Sequence, residues 1–268
     1  MKFAFSTLGC PDWTFPEMIS TAKDLGFDAI EIRGIENEVF APYAKPFKAD
    51  NIEKTIAFLK EKNLEISMLS TGASIGLASH IESALGEATV YTELASRLGV
   101  KFIRVMITNK PQPEEADFDC AVNAFQRICD YAGDKAVTVL IETNGMLAKS
   151  SVMADFIRKT NRENCGVLWD IHHPFRFFGE SPKTTFDNIG QYVKYVHVKD
   201  SLMENGRVKY KMMGQGDVPV SKALKLLKDN GYSSFVTLEW VKRWCPDLED
   251  AGIVFSHFSN YISNIAEL

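Results

Sequence analysis

Three acids and one histidine stand out by where they fall in the chain. Glu142 closes the phrase VLIE, Asp170 closes VLWD, His197 lies in YVHVKD and Glu239 closes VTLE. Each marks the end of a short run rich in Val, Ile and Leu, and the four runs are consecutive. Residues that end neighbouring strands of one sheet project toward a common region. Three carboxylates gathered there repel one another strongly enough to force protons onto some of them. A divalent cation removes that repulsion. Three oxygens and one imidazole suit Mn²⁺, Mg²⁺ or Co²⁺, with Zn²⁺ admissible, and the lack of thiolates argues against a structural zinc. A solvated strand end accounts for any one of these residues alone; recurrence in four successive runs favours a site.

Other residues carry two readings each. Lys199, just after His197 in HVKD, can place a positive charge over a developing oxyanion or sit solvated at its strand end. Glu31 and Arg33 are two apart in one β-like run, hence on the same side of it, and can face the site and pair there or form a structural ion pair. Trp13, with Phe15, Trp240 and Trp244, can form an apolar wall for a ligand's ring or chain or pack in the core or rim. Gly214-x-Gly216 falls where barrels often hold phosphate, but Asp217 follows and turn chemistry explains it as well. His172 is a candidate outer neighbour of the ligands. His80 and His257 read as surface or core residues on helical segments, and Cys120 and Cys129 as small buried hydrophobes.

The elements that must position these residues recur with a regular rhythm. β-like runs cover 2–7, 28–33, 64–71, 101–107, 137–143, 165–170, 193–199 and 235–240. Most are continuously apolar, as expected of parallel strands covered on both faces. Between them lie segments such as FPEMISTAKDLGF, NIEKTIAFLKEKN and SKALKLLKDNGY, with apolar residues three and four apart. Gly26, Gly99 and Gly231 stand where helices should stop. Eight βα units of ~33 residues predict a single α/β domain over 1–268, a (β/α)8 TIM barrel whose site lies at the C-terminal strand ends. A doubly wound sheet is the rival, but STLGCPDW after the first run lacks the glycine fingerprint of that fold.

The chain has 268 residues, 30 Lys plus Arg against 35 Asp plus Glu, and a formal charge of −5. That balance disfavours nucleic acid as a partner, since backbone binding needs a basic surface. Five scattered cysteines with no C-x-x-C point to a reducing compartment. No apolar run suits a signal peptide or a membrane span. The expectation is a cytoplasmic protein with a small-molecule partner and no membrane association, and homo-oligomerisation is left open.

Taken with FAFSTLGCPDWTF, LGFDAIEIRG, VLIETNG, VLWDIHH, VKYVHVKD, GQGDVP and VTLEW, the chain resembles the xylose isomerase-like TIM barrels along essentially its whole length. That superfamily holds ketose 3-epimerases, hydroxypyruvate isomerase, inosose dehydratase and, more distantly, endonuclease IV. The resemblance implies one divalent metal ion on Glu142, Asp170, His197 and Glu239, with a substrate-binding histidine three residues past the Asp, at His173. It implies proton transfer beside a carbonyl of a sugar or sugar phosphate through an enediolate, with Glu142 and Glu239 as the catalytic pair; Lys199, Glu31, Arg33 and Trp13, read above from their own positions, are the further substrate-binding candidates. An inosose dehydratase-type lyase on the same metal, or a non-catalytic sugar-binding barrel, are the alternatives. The extra histidines of endonuclease IV's three-zinc site are missing at 70–71, at 106–107 and in the loop after the seventh run.

Overall fold

The computed structural model describes residues 1–265. Its strands are β1 (Lys2–Ser6), β2 (Ala29–Ile32), β3 (Glu65–Ser74), β4 (Phe102–Met106), β5 (Thr138–Glu142), β6 (Cys165–Asp170), β7 (Val193–Val198), β8 (Asp200–Glu204), β9 (Arg207–Lys211) and β10 (Phe235–Leu238). Eight of them close into a barrel in the order β1-β10-β7-β6-β5-β4-β3-β2, and the ladders of β1 with β2 and β10, and of β3 through β6, are parallel. Strands β2, β5, β6 and β10 are buried at every position, which is why their sequences are apolar without alternation.

The helices are α1 (Phe15–Asp24), α2 (Ile52–Lys62), α3 (Ile81–Leu98), α4 (Phe118–Gly133), α5 (Ser150–Thr160), α6 (His172–Phe178), α7 (Pro182–Ile189), α8 (Val220–Asp229) and α9 (Ala251–Ile265). Their ends reflect local chemistry. Glu17 Oε2 accepts from both the backbone N–H and the hydroxyl of Thr14 at 2.7 Å, a capping box that starts α1. Gly99 ends α3 at φ +69°, and Asn63 and Asn161 take the same left-handed conformation after α2 and α5. Among the described residues, no helix is long and apolar enough to cross a membrane.

Backbone contacts group the chain into two compact units, Met1–Ser67 with the chain from His197 onward, and Met68–Val196, the boundary crossing β3 and β7. In the first, Phe5 of β1 stacks on Phe255 of α9 at 4.1 Å between ring centroids and meets Phe27 edge-on at 5.3 Å. In the second, Phe156 of α5 packs on Phe118 and Phe125 of α4. Each such buried ring is worth roughly 1.5–3 kcal/mol in area removed from water.

Three departures from the sequence expectation bear on function. Strand β3 continues past 71 to Ser74, with a register shift against β4 between Ser70 and Ser74. Thr71 makes that kink, its hydroxyl donating to Arg104 O at 2.7 Å while accepting from Ala73 N–H. No helical segment was picked out directly after the sixth run, yet His172–Phe178 forms helix α6. The segment after the seventh barrel strand, expected as a loop, is the antiparallel hairpin β8–β9, turned at Asn205-Gly206 with both residues at positive φ and Glu204 opposite Arg207.

Candidate active site

The phrase LIETNG delivers Glu142. Thr143 Oγ1 accepts from Asp170 N–H at 2.9 Å and donates to Asp170 O, locking the end of β5 to that of β6. Asn144 accepts from Ile107 N–H and donates to Thr108 O at 2.7 Å, locking it to the end of β4. Glu142 is 2% exposed. Its Oε2 meets Nη1 of Arg104 at 2.6 Å and its Oε1 lies 4.0 Å from Nδ1 of His173.

Asp170 is fully buried at the end of β6. Its Oδ1 accepts from the His172 N–H at 2.9 Å, and its Oδ2 lies 3.6 Å from Nε2 of His173. The His173 Nδ1–H donates to the Thr143 carbonyl at 3.0 Å, because a carbonyl can only accept. The other nitrogen, Nε2, is thereby turned to the Asp170 carboxylate. Asp170, His172 and His173 form one group able to offer ligand atoms within 4.8 Å of one another. His172 is buried beside His173.

In the other unit the same logic recurs. Glu31 is buried in β2, where Oε1 accepts from the Ser6 hydroxyl at 3.2 Å and Oε2 takes the Nε2–H of His197 at 2.6 Å. That leaves His197 Nδ1 facing Glu239 Oε1 at 3.5 Å. An imidazole nitrogen and a carboxylate oxygen are both electron-rich, so two such facing pairs call for positive charge, a proton or a metal ion, between them. A histidine that gives its far N–H to a carboxylate is also the usual arrangement of a metal ligand. The donor set therefore fits a divalent cation.

Glu239 stands one residue past β10, its backbone N–H bonded to Val198 O at 3.0 Å, and its Oε2 pairs with Nζ of Lys199. Lys199 is 1% exposed, so it is not a solvated strand-end lysine. Arg33 is half-buried, with its guanidinium 5.8 Å from the Trp244 ring centre and Nη1 on Val39 O at 3.4 Å. Trp13, also half-buried, packs edge-on against Phe255 at 5.7 Å. The Gly-x-Gly phrase is turn chemistry. Asp200 accepts from the N–H groups of Ser201, Gly214, Gly216 and Val218, so those amides are committed to a carboxylate already in the chain. A Cβ on Gly216 would stand 2.1 Å from Asp200 Oδ1. His257 Nε2–H donates to Met213 O at 2.8 Å, on the helix where the sequence placed it.

Reading strand ends alone missed Arg104. It sits in the middle of the fourth apolar run, FIRVM, and is 4% exposed. A lone charge inside such a run was the available signal, since a buried arginine persists only when paired.

Comparison with known proteins agrees with the architecture. A 3-dehydroshikimate dehydratase of Bacillus anthracis is 22% identical over 75% of this chain and 72% of its own length. An inosose isomerase of Bacillus licheniformis is 25% identical over 89% of this chain and 88% of its own. The crystal structure of the IolI protein with a bound zinc atom superposes with a TM-score of 0.82 at 17% identity, covering 100% of this chain and 98% of that one. The family model described as xylose isomerase-like TIM barrel matches residues 19–257, and the chain belongs to that family.

Proposed function

We propose that the protein is a divalent-metal-dependent isomerase or epimerase that moves a proton at the carbon beside the carbonyl of a sugar or sugar phosphate. The observation that carries this reading is the group Glu142, Asp170, His197 and Glu239, all buried, each able to offer one ligand atom, with those atoms mutually within 4.8 Å. The strand order supports it, since β5, β6, β7 and β10 are successive staves. An inosose isomerase among the relatives and a zinc-bound neighbour support it further.

These four residues would hold the ion, which supplies Lewis acidity toward the substrate's oxygens; Mn²⁺, Mg²⁺ and Co²⁺ suit the donors, and Zn²⁺ is admissible. Glu142 and Glu239 take and return the proton, giving an enediolate in between. Each is held by a buried cation, Arg104 on Glu142 and Lys199 on Glu239, which fixes one oxygen and leaves the other for chemistry. His173, its Nδ1–H committed to Thr143 O, offers Nε2 to a substrate oxygen. Glu31 positions His197, and the half-buried Arg33 and Trp13 stand near the substrate in this reading.

A dehydratase is the second reading, favoured by the B. anthracis relative and by buried Lys199, which can help protonate a departing hydroxide. The free cysteines fit a cytoplasmic location. Incubation with Mn²⁺ and a panel of ketoses, ketose phosphates and inososes in D₂O separates the readings. Deuterium beside the carbonyl without loss of water is the expected result; loss of water would assign the lyase. No exchange with any member, together with unchanged metal binding in Glu142→Gln and His197→Ala, would end the enzymatic reading.

A further inference from the structure

Arg104 belongs to no strand end and faces no solvent, yet its guanidinium lies 2.6 Å from the Glu142 carboxylate. Its two arms are used differently. Nη1 holds Glu142 Oε2 at 2.6 Å, and Nη2 donates to Thr71 O at 2.9 Å, while its own carbonyl accepts from the Thr71 hydroxyl at 2.7 Å. Side chain and backbone are thus both anchored on the kink of β3, and the guanidinium is fixed before anything binds. Arginine keeps its charge under all ordinary conditions. Both partners are about 95% or more buried.

We propose that Arg104 is a positioning residue with a standing charge: it balances and orients Glu142 in the metal-free barrel, and a metal ion must share that carboxylate with it. The inference rests on Glu142 being a metal ligand. It makes a prediction opposite in sign to that for an ordinary neighbour of a ligand. Removing a group that merely orients a ligand weakens metal binding, typically by about 10- to 100-fold. Removing a competing positive charge takes away the counter-charge that sits on Glu142 Oε2, which destabilises the empty protein and makes it bind a cation more tightly.

The test compares metal-stripped and Mn²⁺-loaded forms of the full chain by thermal unfolding and by calorimetric titration with MnCl₂. In Arg104→Met the metal-free Tm should fall by about 10 °C, the scale of a broken buried ion pair in a chain this long. Mn²⁺ should restore most of the loss, with a dissociation constant about tenfold lower than the parent's. In Arg104→Lys, which keeps the charge but not the fork, most of the stability should survive while kcat falls more than KM changes. Unchanged or weaker Mn²⁺ binding in Arg104→Met overturns the competition. The double variant Arg104→Met/Glu142→Gln separates this idea from the metal assignment. With both charges gone, its metal-free Tm should exceed that of Arg104→Met, whether or not the parent binds metal. If it does not, the counter-charge role is wrong.

Discussion

Glu31 takes the Nε2–H of His197 at 2.6 Å and so decides which ring nitrogen turns toward Glu239. A short hydrogen bond from imidazole to carboxylate both fixes the ring and makes the opposite nitrogen a better donor to a cation. Glu31→Ala should therefore weaken Mn²⁺ binding by about 10- to 100-fold, read by calorimetric titration, with Glu142→Gln measured alongside as a direct ligand change. An unaltered affinity would remove Glu31 from the site. The residue itself was legible in the sequence, because an acid in an apolar run is conspicuous. Its partner was not. Two-residue spacing pointed along the strand to Arg33, and could not point to His197, which the structure brings to Glu31 from 166 residues away. Sequence spacing reports neighbours along one strand and is silent on what crosses the barrel interior.

Among the elements, the strand starts and the glycine stops were legible because continuous apolar runs and helical periodicity are local signals. What escaped was irregular: the kink at Thr71, helix α6 and the hairpin β8–β9. The hairpin did carry a signal, since Asn-Gly is the preferred pair for a two-residue turn. Its flanking strands, DSLME and RVKYK, are polar enough to pass for loop. Asp200 organises the loop beyond the hairpin by accepting three of its backbone N–H groups at 2.9 to 3.2 Å, besides that of Ser201 in β8 at 2.8 Å. Asp200→Ala strands those donors together, at about 1–3 kcal/mol for each that stays buried; the bonds of Ser201 and Val218 are buried, so a loss of at least about 2 kcal/mol is expected in urea unfolding. Gly216→Ala should reach a similar loss by a different route, because its Cβ would overlap Asp200 Oδ1. A value below about 1 kcal/mol for Asp200→Ala would mean that water replaces the carboxylate and that the loop is not built around it.

For the whole molecule, barrel closure converts eight local units into one ring of strand ends, and a parallel barrel puts all those ends on one side. That rule is why the acids and histidine of the proposed site could be picked out from four phrases spread over about a hundred residues. It also concentrates like charge. Glu31, Glu142, Asp170 and Glu239 are all nine-tenths buried or more; Arg104 pairs with Glu142, Lys199 with Glu239 and His197 with Glu31, while Asp170 accepts from the His172 N–H. Burying carboxylates is costly unless each is compensated, so a site of this composition should gain folding stability from any cation it is built to hold. The gain obeys mass action: at a free metal concentration of about a hundred times the dissociation constant, it amounts to about 2.7 kcal/mol. For a chain of this length that corresponds to roughly 5–10 °C in Tm. Stripping the purified protein with a chelator and then titrating Mn²⁺, Mg²⁺, Co²⁺ and Zn²⁺ in a thermal unfolding assay measures it directly, and the ion giving the largest rise at equal concentration is the one the donor set prefers. Na⁺ at matched ionic strength should give no comparable rise. A Tm indifferent to every divalent ion would mean that these carboxylates are compensated wholly within the chain, and the proposed metal site would have to be abandoned.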